Sequence, residues 1–457
     1  MKKFLPLFAL LALLLLVGYL VFLLREETTR RPSPAPDTPV AAAAEPAPAP
    51  PVPAPVAGAY SAPADPRVEA ARNQAQSRLA AGDLPGAIAA LEAALANPTG
   101  NQLLTRDLSH LYAASGWNAF SRKDLKTARG FFEEGLYYWA ENPEAFRGLA
   151  FVAMETNQRD EAEGWIKEYL AAGGDRPEVY ALQGRIAYEA ERLDEALYYF
   201  RISLALDPNQ PEIAAMVEKI GRENRVESGF DRRQTRHFLI KYEGTELPEV
   251  SRVVEMVCEE AYLVVGRKLG HYPESPVTVI LYTDRQFQDV TRSPAWAEAI
   301  FDGKIRIPAK GLQERSDELE RIVFHEYAHA VIHDLSRGRA PIWLHEGIAQ
   351  QCEGIPVNLA AVARRVKTMG GPLPLPSVEG LFVTMPRRQA ELAYIQSRLA
   401  AEYLGDNFGP YALRELLRDL GDGDDTATAI RRVTGRDYAT IDAGFRAYVL
   451  ELAGTGR

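Results

Sequence analysis

The stretch of this sequence best suited to chemistry is His325-Glu326-Tyr327-Ala328-His329. On a helix, residues four apart lie about 40° from each other on one face. Two imidazoles at that spacing can hold one metal ion. The intervening Glu326 projects close to the same face, where a carboxylate can take a proton from a metal-activated water. A zinc ion in a hydrolytic site takes three protein ligands and keeps one position open, so a third donor is required. Glu346 follows in Ile342-Trp343-Leu344-His345-Glu346-Gly347-Ile348-Ala349. Pro341 breaks the chain just before it, so a second helix can start there and fold back on the first. Neighbours on a helix point about 100° apart, so His345 is not expected to share a metal with Glu346 and reads as a residue near the rim. His333, one turn beyond His329, reads as packing or as a support for the site. Trp343 reads as core.

These groups need elements to hold them. Ser316 offers an N-cap, with Asp317 and Glu318 in the first turn. Leu319, Ile322, Val323, Ala330 and Val331 stand at helical spacing, and Gly338 and Pro341 end the run. Upstream, Phe238–Tyr242 and Val277–Tyr282 read as strands, and Pro248–Leu269 between them reads as a helix. The stretch Phe301–Pro308 reads as a turn and a short strand. A helix is expected to open at Ala393-Tyr394-Ile395-Gln396-Ser397, with further helices over Tyr411–Leu420 and Thr426–Val433.

The segment Trp343-Leu344-His345-Glu346-Gly347-Ile348-Ala349, after H-E-x-x-H, resembles the W-L-x-E-G-x-A signature of gluzincin peptidases. With a slightly shorter gap than in the gluzincin aminopeptidases, it looks closer to the peptidase-MA-like proteins that are often joined to tetratricopeptide repeats. The resemblance implies zinc bound by His325, His329 and Glu346, with Glu326 as the base of peptide-bond hydrolysis. In gluzincins the strand before the zinc helix is a sheet edge that pairs with the substrate backbone, which implies a substrate-binding role for Lys304, Ile305 and Arg306. Tyr394 resembles in position the tyrosine with which gluzincin aminopeptidases stabilise the oxyanion, which implies a catalytic role. Many thermolysin-type sites carry an acid four residues after the third ligand, to orient a zinc-bound histidine. That position is Gln350 here, and Glu353 lies further along.

Ala128, Ala162 and Ala196 recur at a fixed interval, each followed four residues on by Phe132, Ile166 or Phe200. Tyr112, Phe146 and Tyr180 precede them at one offset, and Pro208 closes the last unit. This period resembles the tetratricopeptide repeat, in which a small residue lets paired helices approach and aromatic residues fill the space between neighbours. An earlier unit lies around Gly82–Ala87. The resemblance implies an all-α solenoid that recruits a peptide or protein partner.

Phe4–Leu24 carries no charge after Met1-Lys2-Lys3 and is long enough to span about 30 Å as a helix, so it reads as an uncleaved, single-pass transmembrane helix. The short tail before it is expected inside, leaving the body extracytoplasmic, in the periplasm or cell envelope. Pro and Ala dominate the next 40 or so residues, roughly a semi-rigid spacer. The expected order is an anchor over 1–27, a linker over 28–66, repeats over 67–226, and an α+β gluzincin-like zinc metallopeptidase domain over 227–457. Lys plus Arg number 52 and Asp plus Glu 62, a net charge of −10, which disfavours a nucleic-acid partner. Two cysteines, Cys258 and Cys352, are too few for a disulfide framework. The rival reading is a non-catalytic, repeat-based scaffold carrying a relic of the peptidase domain.

Overall fold

A computed structural model describes residues 65–95, 101–244, 247–292, 299–309, 312, 314–380 and 382–454. The expected spanning segment and nearly all of the Pro/Ala-rich linker lie outside the described residues. Among the described residues, no helix is long and apolar enough to cross a membrane. The chain divides into two compact units, one ending at Asn224 and the other starting at Arg225.

The first unit is a run of paired helices: α1 (Pro66–Ala80) with α2 (Leu84–Ala94), α3 (Gln102–Ser121) with α4 (Leu125–Tyr138), α5 (Pro143–Glu155) with α6 (Arg159–Ala171), and α7 (Pro177–Glu189) with α8 (Leu193–Leu206). A last helix, α9 (Pro211–Glu227), starts in this unit and ends in the second. The pairing follows from the sequence period. Ala128, Ala162 and Ala196 are fully buried where the two helices of a pair meet, and Phe132, Ile166 and Phe200 are fully buried four residues on. Gly148 and Gly184 make room for two of these side chains. A Cβ on Gly148 would stand 2.2 Å from the Phe132 ring, and one on Gly184 would stand 2.8 Å from Phe200. Ion pairs join successive units, as in Arg129–Glu161 at 2.6 Å and Arg147–Glu178 at 2.7 Å.

The second unit opens on a mixed sheet. Its strands are β1 (Asp231–Gln234), β2 (Phe238–Tyr242), β3 (Val277–Tyr282), β4 (Ile300–Phe301) and β5 (Ile305–Pro308), in the order β1-β2-β3-β5-β4. β2, β3 and β5 are parallel, and β1 and β4 run antiparallel at the two edges. Between β2 and β3 lies α10 (Pro248–Leu269), and after β3 lies α11 (Asp284–Thr291). The helices beyond the sheet are α12 (Asp317–Ser336), α13 (Ile342–Cys352), α14 (Leu359–Thr368), α15 (Arg387–Phe408), α16 (Ala412–Gly421), α17 (Thr426–Thr434) and α18 (Tyr438–Gly454).

Strand alternation gives the sheet two different faces. Phe238, Ile240, Val279, Leu281, Ile305 and Ile307 pack into the main core with α10, α12 and α13. Ile280 and Tyr282 face the other way, against Phe230, Phe287 and Val290. On that second face lies a buried charge cluster. Glu227 accepts from Lys241, from the Tyr282 hydroxyl and from Arg306 at 3.3 Å, while Arg306 also reaches Tyr282 at 2.6 Å and Asp302 at 3.0 Å.

This arrangement corrects the expectation for Lys304, Ile305 and Arg306. They are 3%, 0% and 1% exposed, and β5 is not an edge strand. The tight reversal at Asp302-Gly303, where Gly303 has φ of 95°, lays Ile300 and Phe301 back along Arg306 and Ile305. A peptide cannot pair with backbone that β4 already covers, and Arg306 spends its guanidinium on Asp302, Glu227 and Tyr282. Among the described residues, the last strand on this side of the sheet is β4.

Candidate metal centre

α12 starts where its sequence signals place it. The Ser316 hydroxyl accepts from the Leu319 amide at 3.2 Å, and acids fill the first turn. The helix ends at Arg337 and Gly338, both with positive φ. From Ile322 to Ile332 the helix is buried on nearly all sides, by the sheet, α10 and its helical neighbours. Such a helix has rigid walls around any polar group it carries, which suits a site that must keep its geometry.

α13 begins after Pro341 as expected. Trp343 is fully buried in the core, with its indole N–H donating to the Tyr438 hydroxyl at 3.2 Å. Gly347 explains why glycine follows Glu346. A Cβ there would stand 2.2 Å from the backbone oxygen of Ser397 on α15. Only the missing side chain lets α13 and α15 lie this close. Gly347→Ala is therefore expected to overpack the contact at a cost of about 1–3 kcal/mol. Thermal unfolding measures it, and an unchanged midpoint would show that α15 yields freely.

Donor atoms of His325, His329 and Glu346 all lie within 4.8 Å of one another. The two Nε2 atoms are 3.0 Å apart; His325 Nε2 lies 3.7 Å from Glu346 Oε2, and His329 Nε2 lies 3.8 Å from Glu346 Oε1. The structure thus brings together the three expected ligands from two helices. Glu326 is buried on the same turn of α12. Two imidazole nitrogens and one carboxylate match the protein share of a catalytic zinc site. His333 is outside this group, exposed, and edge-on to Phe301.

The electrostatics point the same way. Burial opposes a charge on His325, but the hydrogen bond it donates to Glu353 and the charges of Glu346, Glu326 and Glu353 outweigh it and push its pKa up to about 9. Burial, with His325 and His345 nearby, holds His329 well below the usual histidine range. Burial raises the Glu346 carboxyl, Glu353 adds to this, and His325 opposes it. Three carboxylates around two buried imidazoles make a site that favours positive charge, which a proton on His325 supplies and a divalent cation can supply in its place.

Sequence reasoning missed two partners. Glu353 Oε1 lies 2.8 Å from His325 Nδ1, so Glu353 holds the position expected of an acid at residue 350. The signal was spacing: residues seven apart on a helix return to the same face, so Glu353 follows Glu346 by two turns. Gln350 instead donates to the backbone oxygen of Tyr394 at 2.9 Å. Cations hold this end of α13, with Lys268 donating to the Gln351 oxygen and Arg398 to that of Gln350. The second partner is His345. It is not at the rim, for its Nδ1 lies 2.6 Å from His329 Nδ1, and burial, with His333 and His325 nearby, depresses its pKa to about 3.

Tyr394 lies on α15, which begins at Arg387 rather than at Ala393 because Pro386 serves as its N-cap. It keeps 41% of its surface exposed. Crowding by the protein, then the charges of Glu346 and Glu353, nevertheless push its phenol well above the usual range, against Arg321. The group therefore stays protonated and able to donate. Cys258 and Cys352 are free thiols, both buried.

A family model for the peptidase MA superfamily matches residues 258–451, and one for the tetratricopeptide repeat matches residues 119–186. No curated protein matches the chain. Among solved structures, MamA (41-end) from Desulfovibrio magneticus RS-1 is 16% identical over 35% of this chain and 87% of its own, with a TM-score of 0.28. TTC0263, a thermophilic TPR protein in Thermus thermophilus, is 21% identical over 32% of this chain and 77% of its own, with a TM-score of 0.22.

Proposed function

We propose that this chain, which joins tetratricopeptide repeats to a peptidase MA superfamily domain, is a membrane-anchored, zinc-dependent peptidase whose repeats recruit a protein substrate or partner. The observation that carries the reading is the convergence of His325, His329 and Glu346 within 4.8 Å, with Glu326 on the same helix. Zinc held there would supply Lewis acidity and would lower the pKa of a water towards ~7. The chain's own residues do the rest. His325, His329 and Glu346 fix the position of the cation, and Glu353 holds His325 by its outer nitrogen. Glu326, walled in on α12, takes the proton of the attacking water and hands it to the leaving amine. Tyr394, held protonated, donates to the developing oxyanion. The apolar segment over residues 4–24 is the anchor, and the body is extracytoplasmic.

The test is metal content. The purified full chain is expected to hold about one zinc, and His325→Ala and Glu346→Ala are each expected to lose most of it, because each removes one of three protein ligands. Atomic absorption on the three proteins decides it. A folded parent without zinc, never exposed to chelator, would overturn the reading in favour of a repeat-based binding protein.

A further inference from the structure

His329 and His345 approach each other through their Nδ1 atoms, 2.6 Å apart, with the rings tilted by 32°. A nitrogen–nitrogen contact this short holds one proton, since two N–H groups repel and two lone pairs repel. The proton has two candidate owners. If His345 owns it, neutral His329 carries its own proton on Nε2, the atom that faces His325 Nε2 at 3.0 Å and Glu346 at 3.8 Å. That nitrogen then has no lone pair for a cation. If His329 owns it, Nε2 is bare and faces the other two donors.

We infer that His345 is the positioning residue of His329: its Nδ1 accepts the Nδ1 proton of His329, its own proton sits on Nε2, and this fixes the tautomer and ring rotation in which His329 Nε2 can bind a cation. The inference rests on the metal-site reading above and extends it to a residue that the H-E-x-x-H and W-L-x-E-G patterns leave unspecified. α13 does two tasks with adjacent residues. Side chains about 100° apart send Glu346 to the donor group and His345 to the far side of His329. The choice of a neutral acceptor also has a reason. Glu326, Glu346 and Glu353 already crowd the two imidazoles with carboxylates, and a fourth acid at residue 345 would add repulsion between buried like charges. His325 is held by a carboxylate and His329 by an imidazole, so the two ligands differ in basicity by construction.

The first test needs no zinc. Long-range nitrogen–proton correlation spectra of the metal-free full chain, with labelled histidine, read the tautomers directly. The expected result is a proton on Nδ1 of His329 and on Nε2 of His345, and the opposite pair of tautomers would overturn the assignment. The second test is zinc affinity by competition with a chromophoric chelator. His345→Phe keeps a flat ring but cannot accept, and is expected to weaken binding by about 10–100-fold. His345→Gln retains an acceptor oxygen and is expected to recover most of that loss. Parent-like affinity in His345→Phe, or equal weakness in both variants when both keep the parent's circular dichroism, would sink the proposal. A parent that binds no zinc would instead overturn the metal reading, while the tautomers still decide the role of His345.

Discussion

Glu326→Gln is expected to leave the zinc content unchanged and to lower peptide hydrolysis by about 10²–10⁴-fold, the usual share of a positioned acid–base group. The substitution keeps the size of a side chain that α12 buries at 8% exposure, so the fold has no reason to respond. It removes the basic oxygen and nothing from the three donors. The measurement pairs metal analysis with turnover of a peptide library by mass spectrometry, parent beside variant. Equal turnover in both would show that Glu326 is not the base. A biological role that survives the substitution intact would favour the scaffold reading, in which the repeats matter and hydrolysis does not.

Glu227→Ala is expected to cost about 3–5 kcal/mol, the typical penalty for removing one partner of a buried ion pair. Glu227 is 2% exposed and is shared by Lys241 at 1% and Arg306 at 1%. Its loss leaves two buried cations short of a counter-charge and frees the Tyr282 hydroxyl from its acceptor. In a domain of this size each kcal/mol shifts the melting point by roughly 2–4 °C, so a fall of about 10 °C is expected by calorimetry. The cluster lies on the face of the sheet away from α12, so zinc content in the folded fraction should hold. A melting point within a degree of the parent would show that water or side-chain rearrangement relieves the two cations. The result also bears on Arg306, which the sequence offered as a substrate residue and the structure uses to tie β5 to β3 and to Glu227.

Much of the candidate site was legible because its signals are local. H-E-x-x-H needs only one helical turn, Ser316 and Gly338 mark the ends of the helix that carries it, and Pro341 marks the start of the next. The repeats were legible for a similar reason: each unit buries its alanine and its large apolar residue against an immediate neighbour, so the pattern recurs along the chain. Two strands and α10 came out at the expected bounds, since alternation and helical spacing are themselves short-range.

The start of α15 was misread for a local reason, the cap at Pro386, but the misreadings of side-chain roles were matters of which distant segment lies alongside. Lys304-Ile305-Arg306 reads as a strand from its own residues, but whether a strand is an edge depends on a partner, here the two residues of β4 folded back through Gly303. Glu353 and His345 look incidental on α13 alone; they become partners of His325 and His329 once α13 packs against α12. The types of the candidate donors, the helices that bear them and the repeat period follow from local sequence, because hydrogen bonding and side-chain periodicity act over a few residues. Which strand closes the sheet, which acid holds His325 and which ring lies against His329 emerge from the packing of whole elements, because those depend on the approach of surfaces that no short stretch of sequence contains.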